Sequence, residues 1–105
     1  MNIEQIAMNL ISKAGVGRSM AMEAVHCARM GQFEQAKECL QKSDASLLEG
    51  HEVHTQLLVA EANNSKPEFS ILLVHSLEHL MNAMTVRDIA EEFVMLYETK
   101  KGGGK

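Results

Sequence analysis

Residues 72–98, LLVHSLEHLMNAMTVRDIAEEFVMLYE, carry the strongest structural pattern in the chain. Without glycine or proline, this segment predicts one long helix, helix III, from about residue 67 or 68 to residue 98. Its apolar positions form three adjacent stripes at helical spacing. The stripes are Leu72, His79, Ala83, Val86, Ala90, Phe93 and Tyr97; Leu73, Leu77, Leu80 and Met84; and Ile71, Val74, Glu78, Met81 and Thr85. A helix that is apolar around so much of its circumference needs cover from another subunit, so we expect an oligomer with helix III at its centre.

Helix I is predicted from about residue 2 to residue 30, where Gly31 is placed to end it. Its inward stripe is rich in small residues, which would let a neighbouring helix approach closely. The stripe is Ile3, Ala7, Leu10, Ala14, Gly17, Ala21, Ala24 and Ala28. The inward-facing residues of helix I keep the same helical spacing before and after Gly15 and Gly17. This spacing therefore favours one continuous helix, with a break near Gly15 as the alternative.

Helix II is predicted from about residue 33 to residue 62, and three small or polar residues, Ser43, Gly50 and His54, interrupt its apolar stripe. The apolar members are Phe33, Ala36, Leu40, Leu47, Leu57 and Leu58. Residues 63–67, Asn-Asn-Ser-Lys-Pro, predict a polar turn, and Pro67 suits the first position of helix III. We therefore predict an all-α, antiparallel three-helix bundle over residues 1–99, followed by a disordered tail over residues 100–105.

The composition restricts the classes of function. A chain of 105 residues suits one domain, and its net charge of −4 argues against a dedicated nucleic-acid binder. No segment approaches the roughly 18–20 apolar residues of a membrane span, and MNIEQIAMNL lacks the basic start of a secretory signal, so we expect a cytoplasmic protein without direct membrane insertion. Cys27 and Cys39 lack metal-site spacing and are predicted to be buried free thiols.

His75, Glu78 and His79 follow the spacing H-x-x-E-H, which places three polar side chains on about one helical turn. In zinc hydrolases with this pattern, the histidines hold the metal and the glutamate acts as general base. Such a site would also need a third ligand and a substrate cleft, for which a slender bundle offers no obvious place. A purely structural role is the default for any single histidine, and we assign it to His26 and His51.

Phosphoryl carriage on an imidazole is the third interpretation of the same cluster. Neutral imidazole is a competent nucleophile near neutral pH. A carrier needs one exposed imidazole, one group that fixes its tautomer and a docking surface for each partner. A small helical bundle is sufficient for this role, and the cluster alone leaves the three interpretations open.

Four segments together resemble the enzyme IIA component of the lactose/cellobiose branch of the bacterial phosphotransferase system, over residues 3 to about 98. The segments are AGVGRSMAMEAV at 14–25, MGQFEQAKECL at 30–40, HEVHTQLLVAEA at 51–62 and the residues 72–98 quoted above. The family's motif is a histidine followed by a small residue, Gln, Asp, His, Leu and Met. On that match His75 takes the place of the phosphorylated histidine, and His79 completes the motif in a supporting role.

This resemblance implies a phosphotransferase component that assembles as a trimer of three-helix subunits. It also implies that the protein receives phosphate from the phosphocarrier protein HPr and passes it to a IIB component. The IIB component then donates the phosphate to a disaccharide during transport.

Leu77 and Glu78 stand where the family usually has Gln-Asp. The family's aspartate lies on the trimer axis, so the resemblance places Glu78 there. A shared cation such as Mg²⁺, or protonation, would relieve the repulsion between three carboxylates. The alternative is that Glu78 extends to solvent or pairs with Arg87. Leu77 removes an amide that could orient the imidazole or its phosphate, and His54 stands where the family more often has glutamine.

A non-catalytic helical-bundle adaptor is the alternative function. The segment GQFEQAKECL, residues 31–40, looks like the start of helices in TPR- and MIT-type adaptors. TPR arrays need a repeat of about 34 residues, and the chain shows none. An adaptor would not require the motif around His75, so phosphate acceptance by that residue separates the two functions.

Overall fold

The structure, a computed structural model, describes residues 2–65 and 67–103. Within these ranges the chain forms three helices and no strand: α1 (Ile3–Arg29), α2 (Phe33–Ala62) and α3 (Ile71–Gly103). A short turn reverses the chain after α1, so α1 and α2 are antiparallel neighbours, and α3 returns in the direction of α1. Helix α1 packs extensively on both other helices, whereas α2 and α3 contact each other less. The prediction of an all-α three-helix bundle is confirmed.

Helix α1 is continuous through Gly15, as its unbroken spacing favours, and it ends where predicted. Gly31 adopts a left-handed conformation with φ of 81°. Its N–H donates to the Ala28 carbonyl at 3.0 Å, and the Gln32 N–H donates to the Cys27 carbonyl at 2.8 Å. These two bonds satisfy carbonyls that the helix end would otherwise leave unpaired.

Helix α3 begins later than predicted. It starts at Ile71 because Ser70 caps it: the Leu73 N–H donates to the Ser70 hydroxyl at 3.3 Å. Pro67 therefore precedes the helix and is not its first residue.

The other end of α3 also differs from the prediction, because residues 100–103 of the expected disordered tail are helical. Lysines in the last turn interact favourably with the negative end of the helix dipole. The Lys101 ammonium lies 5.6 Å from the centre of the Phe33 ring, which ties this end of α3 to the start of α2. Residues 104 and 105 of the predicted tail lie outside the described residues.

The predicted inward stripe of α1 is confirmed, since all its members are buried except the half-buried Ile3. On α2, Leu58 is exposed, whereas Ser43 and Gly50 are buried on the core face. The prediction treated these two small residues as interruptions of the stripe. They lie in the core because small side chains let α1 and α2 approach closely, and the Ser43 hydroxyl donates to the Gly17 carbonyl at 2.7 Å.

The buried face of α3 does not coincide with any one of the three predicted stripes, and His79 and Phe93 of the first stripe are exposed. The buried residues combine members of two predicted stripes with Ser76 and Val94, which belong to none of the three stripes. They are Leu73, Ser76, Leu80, Ala83, Ala90 and Val94. Ser76 tolerates burial because its hydroxyl donates to the Leu73 carbonyl at 2.6 Å within the helix.

The two cysteines are free thiols near the turn between α1 and α2, as predicted, although only Cys27 is buried and Cys39 is half-buried. Burial raises the pKa of the Cys27 thiol, and the neighbouring Cys39 and Glu23 add to this effect. The Cys27 thiol is therefore a packing group with little thiolate character.

Candidate functional site

The buried residues of α3 determine which way its histidines point. Leu73, Ser76 and Leu80 face the core. Since successive residues of a helix are rotated by about 100°, His75 and His79 lie together on the exposed side that adjoins α1. Both candidate residues are thus accessible to a partner protein.

The two imidazole rings contact each other directly. The Nε2 atoms of His75 and His79 lie 3.0 Å apart, with the ring centres 4.4 Å apart and the ring planes at 86°. A hydrogen bond between two ring nitrogens requires that one ring donates an N–H and the other accepts with a lone pair. The contact can therefore hold one imidazole in the tautomer whose Nε2 is a nucleophile, which is the assistance expected of His79.

A groove between α1 and α3 opens beside His79. Arg18, Ser19 and His26 line it from α1, and Asn82 lines it from α3. The groove is open at Gly15, where an added Cβ would meet nothing within 4 Å. The sequence alone does not mark Arg18 or Asn82 as candidate site residues, because neither belongs to a motif of polar residues at helical spacing.

Glu78 is exposed on the outer face of α3, which we define as Ile71, Val74, Glu78, Met81 and Thr85. Within the described residues Arg87 pairs with other carboxylates, so the predicted alternative of a pair between Glu78 and Arg87 is wrong, whereas the exposure of Glu78 in the single chain agrees with the alternative that it extends to solvent. The Arg87 guanidinium donates to Asp44 at 3.0 Å and to Glu91 at 2.7 Å. Burial disfavours the charged guanidinium, but these hydrogen bonds outweigh that effect and hold the pKa of Arg87 above its ordinary value.

At His54 and Leu77 this chain differs from the residues that are usual in the family it resembles. Both residues line one recess together with Glu78. The His54 Nδ1 atom is buried and has no hydrogen-bond partner among the residues that the structure describes. Leu77 offers that nitrogen no polar group, whereas a glutamine side chain could. The structure therefore brings His54 and Leu77 together, but in a different recess from the groove that His79 lines.

Within the described parts of the chain, no group of three or more His, Cys, Asp or Glu side chains could hold a metal ion. The zinc-hydrolase interpretation therefore lacks its third ligand. The apolar side chains of Val74 and Met81 share the recess with Glu78, so one chain offers a single carboxylate to a cation there. The predicted magnesium site would need Glu78 from three copies and stays a prediction.

Fold and site together define a class of protein: a small helical carrier with an exposed, hydrogen-bonded imidazole pair. Over residues 2–65 and 67–103, no helix is both long enough and apolar enough to cross a membrane.

Comparison with known proteins identifies the family within that class. Residues 5–98 match the family described as "PTS system, Lactose/Cellobiose specific IIA subunit", and the chain belongs to this family. The lichenan-specific phosphotransferase enzyme IIA component of Bacillus subtilis is 45% identical over 96 residues, which cover 91% of this chain and 87% of the relative. The protein is thus a phosphotransferase component, as the resemblance implies.

Solved structures agree with this assignment. The cellobiose-specific enzyme IIA of Bacillus anthracis superimposes with a TM-score of 0.92 at 40% identity, covering 97% of this chain and 94% of that one. The IIA component in the IIA(Chitobiose)–HPr complex of Escherichia coli superimposes with a TM-score of 0.83 at 36% identity, covering 96% and 98%. These matches favour the phosphotransferase role over the adaptor alternative.

Proposed function

We propose that this protein accepts a phosphoryl group from phospho-HPr on His75 and passes it to a IIB component, in the cytoplasm, for uptake of a disaccharide. The observation that carries this proposal is the exposed imidazole of His75, held at 3.0 Å by His79 in a chain of the IIA family. The solved complex of a related IIA with HPr supports the choice of donor. The relatives specific for lichenan and cellobiose support a saccharide as the final acceptor.

Phosphoryl transfer to His75 requires one lone pair on a ring nitrogen and no proton from solvent. In the proposed mechanism His79 is the donor in this contact: its Nε2–H is bonded to the lone pair of the His75 Nε2, and the His75 proton lies on Nδ1. When the phosphoryl donor arrives, the hydrogen bond to His79 breaks and the released His75 lone pair forms the new N–P bond, while the electron pair of the breaking N–P bond returns to the donor's imidazole. The His79 N–H is then free to bind an oxygen of the transferred phosphoryl group.

We further propose that three copies assemble around the outer face of α3. Three apolar side chains there are exposed in the single chain: Ile71 by 77%, Val74 by 45% and Met81 by 40%. Contiguous exposed apolar surface of this kind is typical of protein interfaces. Assembly on this face would leave His75 accessible, because it lies on the adjoining side of the helix.

Glu78 would then meet its two copies at the centre of the assembly. We propose that Mg²⁺, bound by these carboxylates, relieves their mutual repulsion. If so, a chelator should shift the trimer towards monomers in sedimentation experiments, and added Mg²⁺ should restore it. A trimer that is indifferent to both treatments would favour protonated Glu78 carboxyl groups.

The central experiment is to incubate the protein with phosphoenolpyruvate, enzyme I and HPr, and to measure acid-labile phosphate. The wild-type protein should take up one phosphate per chain, and His75→Ala should take up none. His51→Ala is the matched control, since it removes another exposed histidine away from the site and should leave uptake unchanged. If His75→Ala still accepts phosphate fully, the proposed function of His75 is wrong.

A further inference from the structure

Phosphoryl transfer to His75 brings negative charge to a region of α3 that has no cation of its own. The polar residues within one helical turn after His75 are Ser76, Glu78 and His79, and none of them is a lysine or an arginine. A phosphoryl group in transfer spreads negative charge over its three outer oxygens, and carriers and enzymes stabilise it with positive groups. A cation must therefore come from another helix or from the partner.

Arg18 is placed to supply that charge. It lines the groove between α1 and α3 that His79 lines from the opposite side, and the His79 ring contacts His75 at 3.0 Å. Side chains on a helix lean towards its N-terminus. Because α1 and α3 run in the same direction, Arg18 leans along the groove towards the end at which His79 and His75 lie.

Arg18 is also available to bind an anion. Within the described residues it forms no ion pair and no side-chain hydrogen bond, whereas Lys13 pairs with Glu49 and Arg87 is held by Asp44. Gly15, three residues before Arg18 on the same helix, faces open space, so the groove that both residues line has room for an anion. A free guanidinium can bind two phosphoryl oxygens at once.

We propose that Arg18 binds the phosphoryl group carried by His75 and neutralises its charge during transfer. This inference rests on the proposed function of His75. The N–P bond of the donor breaks and the N–P bond to His75 forms, while Arg18 keeps its proton and contributes two N–H donors to the phosphoryl oxygens. His79 and Arg18 would thus hold the group from two sides.

The first test is the rate of phosphohistidine formation from phospho-HPr. Arg18→Gln should lower this rate on the order of tenfold to a hundredfold, as the loss of one charged donor to a transition state does, and Arg18→Lys should retain most of it. Arg29→Gln removes the same charge from an exposed position 11 residues further along α1, about 16 Å away, and should stay within about twofold of wild type.

The second test measures the bound phosphoryl group directly and does not depend on HPr. Wild type and variants are phosphorylated with phosphoramidate, and the pH titration of the phosphoryl group is followed by ³¹P NMR. A neighbouring cation favours the dianion, so Arg18→Gln should raise the titration midpoint by about half a unit or more. Arg29→Gln should not move it.

The possible outcomes separate this inference from the proposed function. If Arg18→Gln accepts phosphate at the wild-type rate, or lowers the rate without moving the ³¹P titration, Arg18 does not bind the phosphoryl group. Either result would leave His75 as the acceptor, because His75→Ala is tested alongside. If wild type fails to form phosphohistidine, both the proposed function and the role of Arg18 are overturned.

Discussion

The contact between α1 and α2 is closed, whereas the side of α3 that carries the histidines is open. At the closed contact, the Ser43 hydroxyl donates to the Gly17 carbonyl at 2.7 Å, and the Ser46 hydroxyl donates to the Lys13 carbonyl at 2.8 Å. The Leu47 side chain fills the space in which a side chain on Gly17 would lie. Small residues and short hydrogen bonds thus bring two helix backbones together and exclude water.

The open side of α3 has the opposite properties. Its polar groups, His75, His79 and Glu78, remain accessible, and its apolar side chains are exposed next to them. The closed contact stabilises the subunit, whereas the proposed assembly and phosphoryl transfer both use the open side. Substitutions at the two regions should therefore change different measurements.

The largest effect is expected on assembly. In the proposed trimer, Val74→Lys would place three ammonium groups against an apolar centre, so we expect that trimer to dissociate into folded monomers, with no change in helix content by circular dichroism. Sedimentation velocity measures the change. Val16→Lys is the matched control, because Val16 is 49% exposed and Val74 is 45% exposed, but Val16 lies on α1. A Val74→Lys protein that still sediments as a trimer would exclude the outer face of α3 as the interface.

The next largest effect should appear at the closed contact. Gly17→Val introduces a side chain into space held by Leu47, and we expect a loss of about 3 kcal/mol in the free energy of unfolding. Two residues earlier on the same helix, Gly15 faces open space, and Gly15→Ala should instead gain about 0.5–1 kcal/mol from helix propensity. Denaturant unfolding measures both. Equal effects at the two glycines would show that the contact with Leu47 is not closed.

The sequence predicted where the helices begin and end better than it predicted which side of each helix faces the core. The helix bounds around Gly31 followed from turn chemistry, and the stripe of α1 followed from strict spacing. Helix α3 has apolar residues on nearly every side, so spacing alone could not show which of them face the core. The placement of Ser76 in the core and Phe93 outside it depends on how tightly α1 packs against α3, and periodicity carries no information on that packing.

The candidate site, like the fold, was predicted from the sequence only in part. The pairing of His75 with His79 follows from their spacing of four residues on a helix. Arg18 lies 57 positions before His75 in the chain, and only the packing of α1 on α3 brings it to the groove beside His79. Local sequence pattern carries no information on non-local contacts of this kind, so the sequence alone gives no signal that Arg18 lies beside His79.

A smaller effect is expected where α2 and α3 meet. Arg87→Met removes the hydrogen bond to Asp44, which joins these less extensively packed helices, and the bond to Glu91 within α3. We therefore expect a loss of about 1–2 kcal/mol in the free energy of unfolding. Because Asp44 and Glu91 are partly or fully exposed, part of this difference should disappear at high salt. Arg29→Met, at the exposed end of α1, should change stability by less than about 0.5 kcal/mol. A salt-independent loss would indicate that packing of the Arg87 stem dominates.

The smallest effect should come from a single hydroxyl at the closed contact. Ser43 is fully buried, and its hydroxyl donates to a carbonyl that already accepts a bond within α1, so Ser43→Ala removes one hydrogen bond without leaving an unpaired donor. We therefore expect a loss of about 1 kcal/mol, measured by urea unfolding. Ser19→Ala removes an exposed hydroxyl from the open groove and should be neutral or slightly stabilising, since alanine is the better helix former. If the two variants are equally stable, the hydroxyl of Ser43 adds nothing to the stability of the closed contact.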